Sequence, residues 1–128
     1  MPTDTPANRW PLWLLGLALL TFLAGGLIPG ALRAAIEQRL HLPFAVPPVA
    51  HFLLSGAMAA GLRWCRPCWP LAVVLMVVLT IGGLAELAQV WVPGRQPSWG
   101  DLGLDVAGAL AGLVAAASAR RLGAFIAR

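Results

Sequence analysis

The amino-acid sequence predicts an all-α fold: a four-helix transmembrane bundle with a short interfacial helix after the first span. Composition is the first observation behind this. Of 128 residues, 59% are hydrophobic and 11% charged, whereas soluble domains carry about 25% charged residues. A chain this small has a large surface for its volume, and its 9 basic and 5 acidic residues cannot cover it, which excludes a soluble globule. Pattern is the second: the basic residues are all arginine and fall between apolar runs. The net charge of +4 therefore reads as topology signals rather than as a basic patch, and no nucleic-acid partner is expected. The third is the length of the runs. A spanning helix needs about 20 mostly apolar residues, because the hydrocarbon layer is about 30 Å thick and a helix rises about 1.5 Å per residue.

Taken in order, residues 1–10 form a polar leader. The first span, about Pro11 to Ile28, lies in the uncharged stretch between Arg9 and Arg33, with Trp10 and Trp13 as interfacial aromatics and Pro29-Gly30 as its stop. A cleaved signal peptide is the competing reading of this segment, with a small-residue exit at Ala31 to Ala35. Against it, the apolar run is longer than a typical signal core. Ala31 to His41 reads as the interfacial helix, with Leu32, Ala35, Ile36 and Leu40 on one face and Arg33, Glu37 and His41 on the other. Pro43, Pro47 and Pro48 are expected to keep the next segment irregular, so the second span runs from about Val49 to Leu62 or Arg63. The third runs from about Pro70 to Val92 and contains Glu86. The fourth runs from Trp99 to Ala119, closing a membrane domain of residues 11–119 ahead of a basic tail at 120–128. Because the uncharged stretch from Val106 to Ala119 is shorter than a span requires, Asp105 falls in the membrane zone and Asp101 at its edge.

Arginine placement sets the expected orientation. With a cytoplasmic N-terminus the inner side collects Arg9, Arg63, Arg66, Arg120, Arg121 and Arg128, and the outer side only Arg33, Arg39 and Arg95. Both termini are then cytoplasmic. The start of the second span, the end of the third and the start of the fourth share the outer face.

That topology brings His51, Glu86 and Asp105 to one depth. Each ionisable group inside a membrane costs about 2.5–3.5 kcal/mol on insertion scales, so each needs a reason. Glu86 and Gln89 share one helix face, Asp101 and Asp105 another. The short loop Pro93 to Ser98 keeps Arg95 near both. Ser98 to Asp101 fits a capping-box variant, the hydroxyl accepting from the Asp101 N–H and the carboxylate reaching back to the cap. Arg95, Glu86, Asp101 and Asp105 are accordingly expected to form one connected cluster with His51 in reach, and Ser55 is a candidate partner for the imidazole. Gly108 and Gly112 form a small-xxx-small pair that admits a neighbouring helix, as Gly82 and Gly83 also do.

Glu86, Gln89, Pro93, Gly94, Arg95, Ser98, Asp101, Gly108 and Gly112 stand at the spacing of the C-terminal signature of VanZ-like membrane proteins, and His51-Phe52 resembles the pair that opens their second span. The resemblance covers about residues 47–115. Pro47 and Pro48 replace the Asp-Lys pair frequent in that family, and Asp105 stands where it often has Asn. The resemblance implies a small bacterial cytoplasmic-membrane protein of four helices, linked to the cell envelope and to resistance to glycopeptide antibiotics.

Four readings of the polar residues stay open. They lock helices in register as a scaffold; they hold the anionic headgroup of an envelope amphiphile or glycopeptide; they act as an acid/base or metal enzyme; or they relay protons in a transporter. No HxxxH or HExxH pair, phosphate loop or nucleophile elbow is present, and no metal or cofactor is expected. Cys65 and Cys68 form CRPC, which lacks the further ligands a zinc site needs and the fold a redox motif needs, so both are expected as reduced thiols on the cytoplasmic side. Trp64, Trp69, Trp91 and Trp99 flank spans as anchors. With this orientation a membrane-impermeant thiol reagent leaves Cys65 and Cys68 unlabelled in intact cells and labels them after permeabilisation. Labelling from outside reverses the topology.

Overall fold

A computed structural model describes residues 9–126. Most of the expected polar leader and the end of the basic tail lie outside these residues. Five helices follow one another: α1 (Trp10–Leu27), α2 (Gly30–Leu40), α3 (Val46–Cys65), α4 (Leu71–Gln89) and α5 (Trp99–Ile126). No strand occurs among the described residues.

Three of them, α1, α4 and α5, are long and apolar enough to cross a membrane. α3 matches them in length at 20 residues, but its prolines, His51, Ser55 and Arg63 dilute its apolar character. The outward surface supports membrane embedding. Leu17, Leu20, Met76, Leu84 and Val114 are each at least 60% exposed, and such a belt of bare aliphatic side chains is stable only against lipid.

Local chemistry explains the helix ends. Pro11 lies in the first turn of α1, where a missing N–H costs nothing, and α1 stops at the extended Ile28 ahead of Pro29. The same rule overturns the expectation that Pro47 and Pro48 delay the second span. α3 begins at Val46, and both prolines fall in its first turn, whose N–H groups have no intrahelical acceptor to lose. α5 runs past the expected stop at Ala119 to Ile126. The alanine-rich stretch through Arg120 and Arg121 is made of strong helix formers and contains no proline. At the same end of the molecule, Arg63 closes the α3–α4 loop by donating to the carbonyls of Pro67 and Trp69.

α3 is the central helix, with its most extensive contact against α5 and its next against α1. Glycine makes the first contact possible. A Cβ at Gly108 would overlap the Phe52 carbonyl, and one at Gly112 would overlap the Gly56 carbonyl. The two backbones therefore touch directly, as small residues at membrane helix interfaces allow. Gly82 performs a comparable service on α4, where a Cβ would come 2.5 Å from Asp105 Oδ2. Gly83 faces open space. Phe22, Met58, Ala59, Val74, Val78, Ala109 and Leu113 fill the core between these helices.

A second backbone contact joins the α1–α2 corner to the α4–α5 loop. The Gly30 N–H donates to the Pro93 carbonyl at 3.0 Å. Gly94, at φ +72°, sits against Gly30 with no room for a Cβ on Gly30. α2 does not divide into the two expected faces. Leu32 points outward, whereas Ile36 and Leu40, though exposed, border the hollow beneath the helix together with Arg33 and Glu37, which are partly buried and approach each other to 3.8 Å.

Gly108→Ala should lower the thermal stability of the detergent-solubilised protein by about 1–3 kcal/mol, the range for forcing extra volume into a packed contact. Gly83→Ala, with free space around it, should be neutral or slightly stabilising.

Candidate functional site

His51 is the hub of the polar cluster. It lies in the second turn of α3, edge-on to the Phe22 ring of α1 with ring centres 5.2 Å apart. Its Nδ1 is 3.0 Å from Asp105 Oδ1 on α5. Its Nε2 is 3.7 Å from Glu86 Oε1 on α4 and 3.9 Å from Asp101 Oδ2 on α5. A single imidazole thus joins three carboxylates carried by two other helices.

With Asp105 ionised, its carboxylate accepts and the His51 Nδ1–H donates to it. Nε2 is left facing Glu86 and Asp101. Asp105 is fully buried, and its Oδ2 has no hydrogen-bond partner. Glu86 is 6% exposed; its Oε2 accepts from the Ser98 N–H at 2.6 Å, while its Oε1 is buried without a hydrogen bond.

The capping box at the start of α5 is half as expected. Ser98 Oγ accepts from the Asp101 N–H at 3.3 Å. The Ser98 N–H, instead of receiving Asp101, donates to Glu86 across the bundle, which frees the Asp101 carboxylate to turn towards His51. Ser55 is not the imidazole's partner. Its hydroxyl donates to the backbone carbonyls of His51 and Phe52, the usual way a buried serine is satisfied in a membrane helix.

Arg95 departs most from the expected cluster. Among the described residues it pairs with no carboxylate; its Nη2 donates to the carbonyls of Gly25 at 2.8 Å and Gly26 at 3.2 Å. These carbonyls end α1, where a helix has unpaired acceptors and a negative dipole end. Burial, and then the like charge of Arg33, lower the Arg95 pKa from the usual guanidinium range against the pull of Glu86, Asp101 and Glu37. Gln89 is buried beside Gly26.

Arg95 and Arg33 also separate two hollows. One, about 290 Å³, lies beneath α2 between α1, α3 and α4; it has an apolar wall that includes Phe22, Leu40 and Leu54, and a polar end made by Arg33, Glu37, Gln89, Arg95 and His51. The other is an open polar recess of about 520 Å³ lined by Arg33, Gln89, Gly94, Arg95, Gln96 and Asp101. From the sequence, Arg33 and Glu37 belong to the polar face of an interfacial helix, with Arg33 or Arg39 also a candidate beside Arg95 for the anionic headgroup. Their i, i+4 spacing gave no sign that this face turns inward.

Of the sequence-derived site residues, His51, Glu86, Ser98, Asp101 and Asp105 meet in one network, and Gln89 and Arg95 lie beside it. Gly108 and Gly112 serve the α3–α5 contact. Cys65 and Cys68 are free thiols near the opposite ends of α3 and α4. Trp64 packs on Trp10, with Arg120 over its ring, and Arg66 stands over Trp69. Comparison with known protein families, with curated proteins and with solved structures finds no match.

Asp105→Leu removes the acceptor of a buried imidazole N–H and should destabilise the protein by about 1–3 kcal/mol. Asp105→Asn keeps a carbonyl oxygen for that bond and should lose less. Thermal unfolding of the two variants in the same detergent compares them directly.

Proposed function

We propose that this chain is a four-span VanZ-like protein of the bacterial cytoplasmic membrane, with both termini cytoplasmic, that holds the anionic headgroup of a cell-envelope amphiphile near the outer leaflet. In this reading α3 is the second of four spans, added to α1, α4 and α5. Its 20 residues measure about 30 Å at about 1.5 Å per residue, the thickness of the hydrocarbon layer.

The hollow beneath α2 carries the proposal. An apolar trough whose polar end carries two guanidinium groups, an amide, an imidazole and the Glu37 carboxylate matches a lipid-tailed molecule whose head offers both negatively charged oxygens and hydroxyl donors. Arginine suits phosphate or carboxylate oxygens through its planar fork of donors. Arg33 is the freer of the two: it has only Glu37 at 3.8 Å, whereas Arg95 donates to two carbonyls, and the Nε of each makes no hydrogen bond. A polyprenyl-linked sugar phosphate and a lipid-tailed glycopeptide both meet these requirements, and the second connects to the antibiotic resistance implied by the sequence resemblance.

A scaffold without ligand is the second reading, favoured by one observation. Arg95 caps α1, and Glu86 holds the start of α5, so both already have structural tasks. Glu86→Gln separates the two. A scaffold predicts reduced abundance in the membrane; a headgroup site predicts normal abundance with loss of envelope or glycopeptide-susceptibility phenotype.

Binding is tested by native mass spectrometry of the purified protein with a polyprenyl-phosphate-linked sugar and, as an uncharged control, diacylglycerol. The wild type should retain the first and not the second. Arg33→Gln, which leaves the α1 cap intact, should weaken retention about tenfold or more, corresponding to a lost charge-assisted contact. Equal retention of both lipids, or no effect of Arg33→Gln, rejects the headgroup site.

A further inference from the structure

We infer that His51, Glu86 and Asp101 bind a divalent transition-metal ion, with Asp105 as the carboxylate that orients the histidine. This goes beyond headgroup binding and does not rest on it. One ligand atom from each of the three residues, including His51 Nε2 and a carboxylate oxygen from Glu86 and Asp101, lies within 4.8 Å of the other two. Two donors on one zinc-sized ion are at most about 4.4 Å apart, twice the metal–ligand distance of about 2.0–2.2 Å. The measured 3.7 Å and 3.9 Å separations from Nε2 fall inside that limit.

Hydrogen-bond chemistry points to the ion independently of this spacing. Glu86 is more than nine-tenths buried, yet its Oε1 has no hydrogen bond and faces Nε2. Its other oxygen is held by the Ser98 N–H, so Oε1 is presented as a monodentate ligand. With the proton on Nδ1, the Nε2 lone pair and two carboxylate oxygens converge, all of them acceptors. A cation supplies what all three lack. Arg95 does not supply it: its Nη2 donates to the Gly25 and Gly26 carbonyls, and among the described residues it pairs with neither carboxylate.

The Asp105–His51 bond completes the pattern. Metal-bound histidines characteristically donate the second ring N–H to a carboxylate, which fixes the ring and raises the basicity of the ligating nitrogen. An imidazole and two carboxylates form an N/O donor set suited to zinc and its first-row neighbours. Three protein ligands leave a tetrahedral ion one further position, and Asp101 also lines the polar recess shared with Arg33 and Arg95. A water molecule or a phosphate oxygen is the class of ligand that position takes. No local motif signals this arrangement, because the three residues come from α3, α4 and the first turn of α5.

The test uses the full chain in detergent with Cys65→Ser and Cys68→Ser, which removes the thiols as competing ligands. After chelator treatment and dialysis against micromolar Zn2+, elemental analysis should find one equivalent bound. Co2+ in its place should give visible d–d absorption without thiolate charge-transfer bands. His51→Gln and Asp101→Asn should each weaken Zn2+ binding at least about tenfold, and Asp105→Asn about tenfold through the orientation of the ring. Asp101 is partly exposed at a helix start, so Asp101→Asn keeps the measurement informative if His51→Gln fails to fold. Zn2+ should also raise the thermal midpoint of the wild type more than that of Asp101→Asn. Substoichiometric Zn2+ in the wild type, or undiminished binding by Asp101→Asn, overturns the site. Because no lipid is present in these measurements, either result leaves the headgroup reading to its own test.

Discussion

Direct backbone contact between α3 and α5 governs the rest of this structure. Gly56, Gly108 and Gly112 allow the two helices to meet without intervening side chains. Only at that separation does the short Asp105 side chain reach the His51 imidazole. In a lipid environment no hydrophobic force draws helices together, so association depends on packing and on buried polar bonds. Here the glycines supply the first, and the second follows from them. The same logic extends to α4, where Gly82 yields space to the Asp105 carboxylate.

The polar network sits where that packing is tightest, and this explains its stoichiometry. Breaking a buried charge pair is costly because a lone charge remains behind. Several carboxylates around one imidazole go further, since acceptors outnumber donors. Ser98 contributes one backbone N–H to Glu86, and His51 contributes one ring N–H to Asp105. Glu86 Oε1 and Asp105 Oδ2 are left over. Structural proteins rarely leave two such oxygens buried without a use, because each forfeits its hydration without gaining a partner.

Arginine has a different part from the one its charge suggests. Arg95 closes the end of α1 and so ties the first helix to the α4–α5 loop, reinforcing the Gly30–Pro93 and Gly94 backbone contact. Arg33, on the inward face of α2, brings a second positive charge to the same place. Burial, and then their mutual repulsion, lower the Arg95 pKa. Two like charges, with Glu37 beside Arg33, are thus held under α2, and the polar recess they line also includes Gln89 and Asp101.

Much of the architecture was legible from residue order. Apolar run lengths and arginine positions located α1, α4 and α5, and the spacing of Glu86, Ser98, Asp101 and Asp105 identified the helix ends that carry the network. These features are local, since they depend on length, on helical repeat or on a cap within a few residues. The start of α3 was misread because proline breaks a helix interior yet is harmless in a first turn, and only the backbone shows which applies. Tertiary structure alone decided that Arg95 binds carbonyls instead of carboxylates, that Arg33 and Glu37 turn inward, and that Nε2 of His51 meets Glu86 and Asp101 together. Each of these depends on the rotation and separation of helices distant in sequence. Those are set by where glycine lets backbones touch, a property of paired surfaces that no single helix records.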